Sequence, residues 1–177
     1  MKKSEIRKKI LRIRKIKNFK KIKIQSIIKI LKKKSVSGKI LGGYYPYNYE
    51  LDIMEILKKF EKKKFKISLP KIKVNSQMDF FPWITEDPLA INKYGIPEPI
   101  SNKIVLPDIL LVPLVAFDDN LNRVGYGGGF YDRYIKKLRK KKNIITIGLA
   151  YSFQKVKKIQ TNKNDVKLDF IVTEKEN

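Results

Sequence analysis

The sequence predicts an α/β fold: a single three-layer α/β/α domain with an open, mainly parallel sheet and helices on both faces. Three observations carry that reading. Short apolar runs of strand length alternate with longer segments whose apolar residues recur at helical spacing. The 177 residues, 42% of them hydrophobic, suit one domain with a sizeable core, so residues 1–177 read as one unit. Four glycines in five positions, Gly125 and Gly127–Gly129, lie between a buried strand and an amphipathic helix, where a βα junction belongs.

Taken in order, Ser4–Lys17 is a strongly basic helix, and Lys20–Lys34 is a second that turns Ile22, Ile27, Ile28, Ile30 and Leu31 inward. Ser35–Gly38 breaks the pattern. Lys39–Tyr45 reads as a strand, Pro46–Tyr49 as a turn, and Leu51–Lys62 as a helix with Ile53, Ile56, Leu57 and Phe60 on one face. Phe65–Leu69 and Met78–Trp83 are the next strands. Thr85–Pro107 carries Pro88, Pro97, Pro99 and Pro107 and reads as a long ordered loop over the surface. Asp108–Val112 resumes as a central strand, Phe130–Lys142 is a helix, and Ile144–Leu149 and Phe170–Val172 close the sheet. There is no internal repeat.

Composition removes several kinds of chemistry. The chain has no cysteine and no histidine, so disulfides, thiolate nucleophiles, the usual general base and the common zinc sites are all excluded. A metal, if used, is a hard ion held by oxygen, with magnesium the leading case. No stretch approaches a membrane span, and the Lys/Ile-rich start lacks the apolar block of a signal peptide, so the expected compartment is cytoplasmic, with no membrane partner. A formal charge of +24 invites a nucleic-acid reading. Yet the excess is mostly lysine spread along the whole chain, without the interleaved aromatics of a single-strand binder, so no specific nucleic acid is expected. Such a surface still favours anionic small molecules.

The glycine-rich run Arg123-Val124-Gly125-Tyr126-Gly127-Gly128-Gly129-Phe130-Tyr131-Asp132-Arg133 is the most informative segment. Backbone N–H groups at a helix start, unhindered by Cβ atoms, suit phosphate. The alternative is a turn that needs glycine only for its tight geometry. The run is not a Walker A loop, because no Lys-Ser or Lys-Thr follows the glycines, and Phe130 stands where the last glycine of a dinucleotide fingerprint belongs. Asp132 in the first helical turn has two readings that composition leaves open. It is either a carboxylate favoured by the helix dipole or a magnesium ligand beside phosphates on the loop.

This segment, with the preceding Asp108–Phe117, resembles the signature of the 5-formyltetrahydrofolate cyclo-ligase family. The likeness extends along nearly the whole chain in the family's order: Lys3 and Arg7, Tyr45 and Glu50, Met78, Phe80 and Trp83, Gly95–Pro99, and the closing Asn164, Asp165, Asp169, Thr173 and Glu174. The resemblance implies an ATP- and Mg2+-dependent ring closure of 5-formyltetrahydrofolate to 5,10-methenyltetrahydrofolate, with release of ADP and phosphate. No protein nucleophile is implied, since N10 of the substrate attacks the activated formyl carbon. The substrates are then ATP and 5-formyltetrahydrofolate, and the expected state is a monomer.

Carried over by position, the resemblance implies that Lys3, Arg7, Arg123, Val124, Gly125, Tyr126, Gly127, Gly128, Gly129, Phe130 and Tyr131 bind ATP. It implies that Tyr45 and Glu50, together with Tyr126, Gly127, Gly128, Gly129 and Phe130, contact the folate. Asp132 and Asp165 would hold the metal. Each position also has a plainer reading: solvated helix charges for Lys3 and Arg7, core for Tyr45, a helix cap for Glu50 and a turn-ordering carboxylate for Asp165. The chain departs from the family pattern at Gly128, where many relatives carry lysine, and at Asn164 and Phe130, where histidine and tyrosine are common.

Overall fold

The computed structural model describes residues 1–16, 22–34, 36, 38–73 and 77–175. The predicted residues 17, 20, 21, 35 and 37 lie outside that set. In chain order the elements are α1 (Lys3–Arg14), α2 (Ile24–Lys33), β1 (Ile40–Gly42), α3 (Met54–Lys62), β2 (Lys66–Ile72) and β3 (Met78–Pro82). There follow β4 (Leu89–Ile91), β5 (Pro97–Pro99), β6 (Ile109–Pro113), β7 (Ala116–Phe117), β8 (Arg123–Val124), α4 (Phe130–Arg139), β9 (Ile145–Leu149) and β10 (Phe170–Val172).

Six strands form the central sheet in the order β10-β9-β6-β1-β2-β3. All neighbours are parallel except β2 and β3, which pair antiparallel. The α/β class with an open, mainly parallel sheet is therefore as expected. From β1 the chain builds outward to one edge through β2 and β3, then returns to β6 and builds outward to the other through β9 and β10. Strand order reverses between β1 and β6, and in an open α/β sheet a crevice opens beyond the carboxyl ends of the strands at that point.

Period-two alternation assigns the two faces. On β6, Ile109 and Leu111 join Ile27, Leu31, Ile56, Leu57 and Phe60 of α2 and α3 in one buried cluster. Leu110 and Val112 point the other way, into a second cluster with Phe80, Tyr134, Ile135 and Leu138, the inward face of α4. Both helix layers sit where buried apolar stripes demand them. The start of α3 is set by Asp52, whose carboxylate accepts from the Met54 N–H at 2.9 Å.

The first helix lies outside these layers. Ile6 and Ile10 of α1 pack with Val115, Ala116, Val124 and Ile159, so α1 rides on the small antiparallel ribbon of β7 and β8. Its N-terminus is closed by Glu5, whose carboxylate accepts from the Lys2 N–H at 2.9 Å.

Several expectations are corrected. Thr85–Pro107 is not one long loop, because β4 and β5 pair within it as an antiparallel hairpin. The carboxamide oxygen of Asn92 organises its turn by accepting from the N–H groups of Tyr94 and Ile96 at 2.9 and 3.1 Å. Prolines 97 and 99 fall on a two-stranded edge, where a missing donor is tolerated. Likewise the glycine run does not follow the central strand directly. The β7–β8 ribbon intervenes, tied by Asp118, whose buried carboxylate accepts from Asn120, Asn122 and Ile159 N–H groups. The helix expected over Phe130–Lys142 ends at Arg139, and a short 3-10 turn, Ser152–Gln154, follows β9. Among the described residues no helix is long and apolar enough to cross a membrane.

Candidate active site

A cleft of about 680 Å³ opens at the strand-order reversal. The chain leaving β1 supplies Tyr44, Tyr45, Tyr47 and Glu50, the end of β6 supplies Pro113, and β8 with the glycine run and the start of α4 forms the wall from Arg123 to Arg133. Lys3 and Arg7 of α1 close one side, and Asn164 and Asp165 another. Every candidate site residue read from the sequence lines this one cleft, although Lys3 and Asp165 stand 162 positions apart.

Backbone conformation explains the glycines. Gly129 is the residue before α4 and adopts the left-handed conformation, φ 66°, while Gly127 stands at φ 112°, which side chains on an L-residue rarely permit. A Cβ on Gly127 would point at the Arg7 guanidinium 3.6 Å away. The loop backbone is gripped from outside: Arg7 Nε donates to the Gly125 carbonyl at 2.7 Å, and an Arg133 guanidinium N–H donates to the Gly128 carbonyl at 2.8 Å. With those carbonyls turned to arginines, the start of α4 presents its free N–H groups and positive dipole end to the cleft.

The two candidate metal carboxylates are each half committed. Asp132 Oδ1 accepts from the Arg123 guanidinium at 2.8 Å and from the Val166 N–H at 3.1 Å. Asp165 Oδ2 accepts from Lys3 Nζ at 2.5 Å and from the Asn162 N–H at 2.6 Å. Burial pushes the Asp165 carboxyl up, but the Lys3 bond, the Asn162 N–H and the nearby Lys3 and Arg123 charges hold it below its ordinary value. Each carboxylate keeps a second oxygen that accepts from none of the described residues. One free oxygen on each of two acids, beside a phosphate-suited loop, fits a hard cation that shares its shell with phosphates.

The folate-side candidates form a different environment. Glu50 does not cap α3; it folds back over its own turn and accepts from the Tyr47 N–H at 2.9 Å. Burial pushes its carboxyl from 4.5 up to about 7, against the opposing pull of that N–H, the Arg14 charge and the Tyr126 hydroxyl. A carboxylate that is partly buried and holds a single backbone N–H keeps acceptor capacity for a donor pair that enters the cleft. Burial, and then the Glu50 charge, push the Tyr126 and Tyr131 phenols well above their ordinary value, so both remain neutral hydroxyls. The Tyr131 hydroxyl is buried without a hydrogen-bond partner among the described residues. Tyr45 is half-buried on the cleft wall, next to Tyr44, which belongs to the core and donates to the Leu51 carbonyl at 3.1 Å.

Sequence reasoning missed two contributors. The β4–β5 hairpin sends Asn92, Tyr94, Ile96 and Pro97 to the cleft rim, a role hidden while that segment reads as a loop. Arg14 was read only as part of a basic helix, yet it is 2% exposed and bonded to Tyr126. The available signal was its spacing, since Ile6, Ile10 and Arg14 form the buried stripe of α1 at four-residue intervals.

Comparison with known proteins shows the family and the fold. The profile of the 5-formyltetrahydrofolate cyclo-ligase family matches residues 1–174. A Haemophilus influenzae protein described as 5-formyltetrahydrofolate cyclo-ligase is 34% identical over 138 residues, covering 74% of this chain and 73% of that one. An Escherichia coli K12 protein of the same description is 31% identical over 145 residues, covering 78% and 79%. Among solved structures, the 5,10-methenyltetrahydrofolate synthetase from Mycoplasma pneumoniae superposes with a TM-score of 0.76 at 27% identity, covering 99% of this chain and 100% of that one. The Aquifex aeolicus synthetase gives 0.77 at 31% identity, covering 99% and 91%. With its candidate site residues gathered in one cleft and residues 1–174 matched, the chain belongs to the 5-formyltetrahydrofolate cyclo-ligase family, ATP-dependent ligases of folate one-carbon metabolism, and converts 5-formyltetrahydrofolate to 5,10-methenyltetrahydrofolate.

Proposed function

We propose that the cleft divides into a nucleotide half and a folate half that meet at the glycine run, and that the ring closure takes place on that seam in a single copy of the chain. The observation that supports this reading is that all the assigned residues, from Lys3 to Asp165, line one cleft contributed by one chain. On this reading the chain acts as a monomer built as one domain over residues 1–177, which the lining of the whole cleft by one chain supports.

In the nucleotide half, Lys3, Arg7 and Arg123 supply positive charge to the ATP phosphates, and the backbone N–H groups from Val124 to Tyr131 cradle them. Asp132 and Asp165 would hold Mg2+ through their uncommitted oxygens. When bound, the ion would neutralise charge developing on the transferring phosphoryl group. In the folate half, Tyr45 packs on the pterin, and Glu50 accepts from its amino and ring N–H groups with two oxygens. Tyr126 to Phe130 form the shared wall.

The reaction needs position more than protein chemistry. The N5-formyl oxygen attacks the γ-phosphorus and ADP leaves, which turns a poor leaving oxygen into phosphate. N10 then attacks the formyl carbon, sheds its proton, and phosphate departs with the C–O bond electrons. Every nucleophile belongs to a substrate, so a chain without histidine or cysteine is adequate. The test is to follow the methenyl chromophore with 5-formyltetrahydrofolate, ATP and Mg2+, in the wild type and in Asp165→Ala. Turnover that requires Mg2+ and collapses in the variant supports the assignment. Undiminished turnover in the presence of a chelator would remove both aspartates from a metal role.

A further inference from the structure

Among the described residues Arg14 is the largest fully buried side chain, at 2% exposure. A guanidinium stays protonated, and burying it is costly unless a carboxylate or a full set of acceptors compensates. Among the described residues Arg14 has no ion-pair partner. It donates to three neutral acceptors instead: the Tyr126 hydroxyl at 2.6 Å, the Leu114 carbonyl at 2.7 Å and the Asn48 carbonyl at 3.5 Å, while its Nε is left without an acceptor. These acceptors come from the glycine run, the end of β6 and the loop after β1, the three segments that wall the cleft at the strand-order reversal. A core residue retained only for packing would not need a charge there, because an apolar side chain of similar volume fills such a space at lower cost.

From Arg14 a chain of hydrogen bonds leads to Glu50: the Tyr126 hydroxyl accepts from Arg14 and donates to the Tyr47 carbonyl at 3.3 Å, and the Tyr47 N–H is in turn held by the Glu50 carboxylate at 2.9 Å. The Tyr126 and Tyr47 rings pack edge to face with centroids 6.1 Å apart, which fixes the hydroxyl's direction. The other titratable groups facing Glu50 are the phenols of Tyr44 and Tyr131. The Arg14 charge draws the Glu50 carboxyl down against the burial that raises it.

We propose that Arg14 is a positioning residue for the folate half of the site: its buried guanidinium clamps the Tyr126 hydroxyl, sets the glycine run against Glu50, and supplies the positive charge facing that carboxylate. It touches neither substrate. This inference rests on the assignment of Glu50 to the pterin. Removing the charge raises the pH at which Glu50 ionises, so folate binding at neutral pH weakens and the acid limb of kcat/KM for the folate moves to higher pH, while ATP binding is spared.

The experiment measures KM for 5-formyltetrahydrofolate and for ATP, and kcat, from pH 6 to pH 9 in Arg14→Met, Arg14→Lys, Tyr126→Phe and Glu50→Gln. Loss of one charge-assisted hydrogen bond predicts a folate KM raised roughly tenfold in Arg14→Met at pH 7, with an ATP KM within about twofold of wild type. Arg14→Lys recovers part of the effect and Tyr126→Phe reproduces its direction. If Arg14→Met does not fold, Tyr126→Phe decides, since it removes the bridging hydroxyl and leaves the buried cation in place. A Glu50→Gln variant with raised folate KM, beside Arg14 and Tyr126 variants whose folate KM and acid limb match wild type, overturns the positioning role alone. A Glu50→Gln variant with unchanged folate KM overturns the pterin assignment, and this inference with it.

Discussion

Glu50 is held in a state that the apo protein disfavours, and Glu50→Gln is expected to stabilise the fold while weakening folate binding. The folded carboxyl ionises at about 7 against 4.5 for an unperturbed glutamate. Below pH 4.5 the group is protonated in both folded and unfolded chains and contributes nothing. Between 4.5 and about 7 the folded state keeps a proton that the unfolded state has shed, so stability falls as pH rises. Above 7 both states are ionised and the full cost persists. At about 1.4 kcal/mol per pH unit, the interval corresponds to an upper limit of about 3 kcal/mol. Glutamine keeps one oxygen to accept from the Tyr47 N–H but brings an amide that must find its own partner, so a net gain of about 1–2 kcal/mol at pH 8 is expected. Urea unfolding at pH 5 and pH 8 measures it: with a slope of about 2 kcal/mol/M, the midpoint should rise by about 0.5–1 M at pH 8 and hardly at all at pH 5. A variant less stable than wild type at pH 8, or a midpoint difference independent of pH, would refute the reasoning.

Two further outcomes follow from the same geometry. Asp132→Asn keeps an oxygen for the Arg123 guanidinium but loses the charge proposed for the metal, so turnover should drop about 100-fold with a changed Mg2+ dependence, and thermal stability should fall as well because the buried Arg123 loses its counter-charge; an unaltered Mg2+ titration would contradict the assignment. Gly129→Ala forces a Cβ into φ 66° and to within 2.7 Å of an Arg133 guanidinium nitrogen, and should cost about 1–2 kcal/mol in denaturant unfolding. No measurable loss would mean that the start of α4 can re-form with a different backbone.

The parts of this protein legible in its sequence are those decided locally. Phe170–Val172 matches to the residue, and the apolar face read for α3 is the one that is buried, because period and burial coincide there. The glycine run was legible for a different reason: φ values of 112° and 66° leave few alternatives to glycine. The family resemblance supplied residues that no local rule could join, such as Lys3 and Asp165. What stayed hidden depends on tertiary partners. The β4–β5 hairpin was lost because proline reads as a breaker, although at a two-stranded edge its missing N–H costs nothing. The β7–β8 ribbon, two residues on each side, is too short to carry a period. Arg14 was hidden by composition: among 41 lysines and arginines, one more at the end of a basic helix carries no contrast. Its spacing from Ile6 and Ile10 did break the local rule, for it put a charge on the stripe that faces the ribbon rather than solvent. Natural sequences keep such violations mainly where function requires them, and this one leads to the junction of the glycine run with Glu50, the seam proposed for the meeting of formyl oxygen and γ-phosphate.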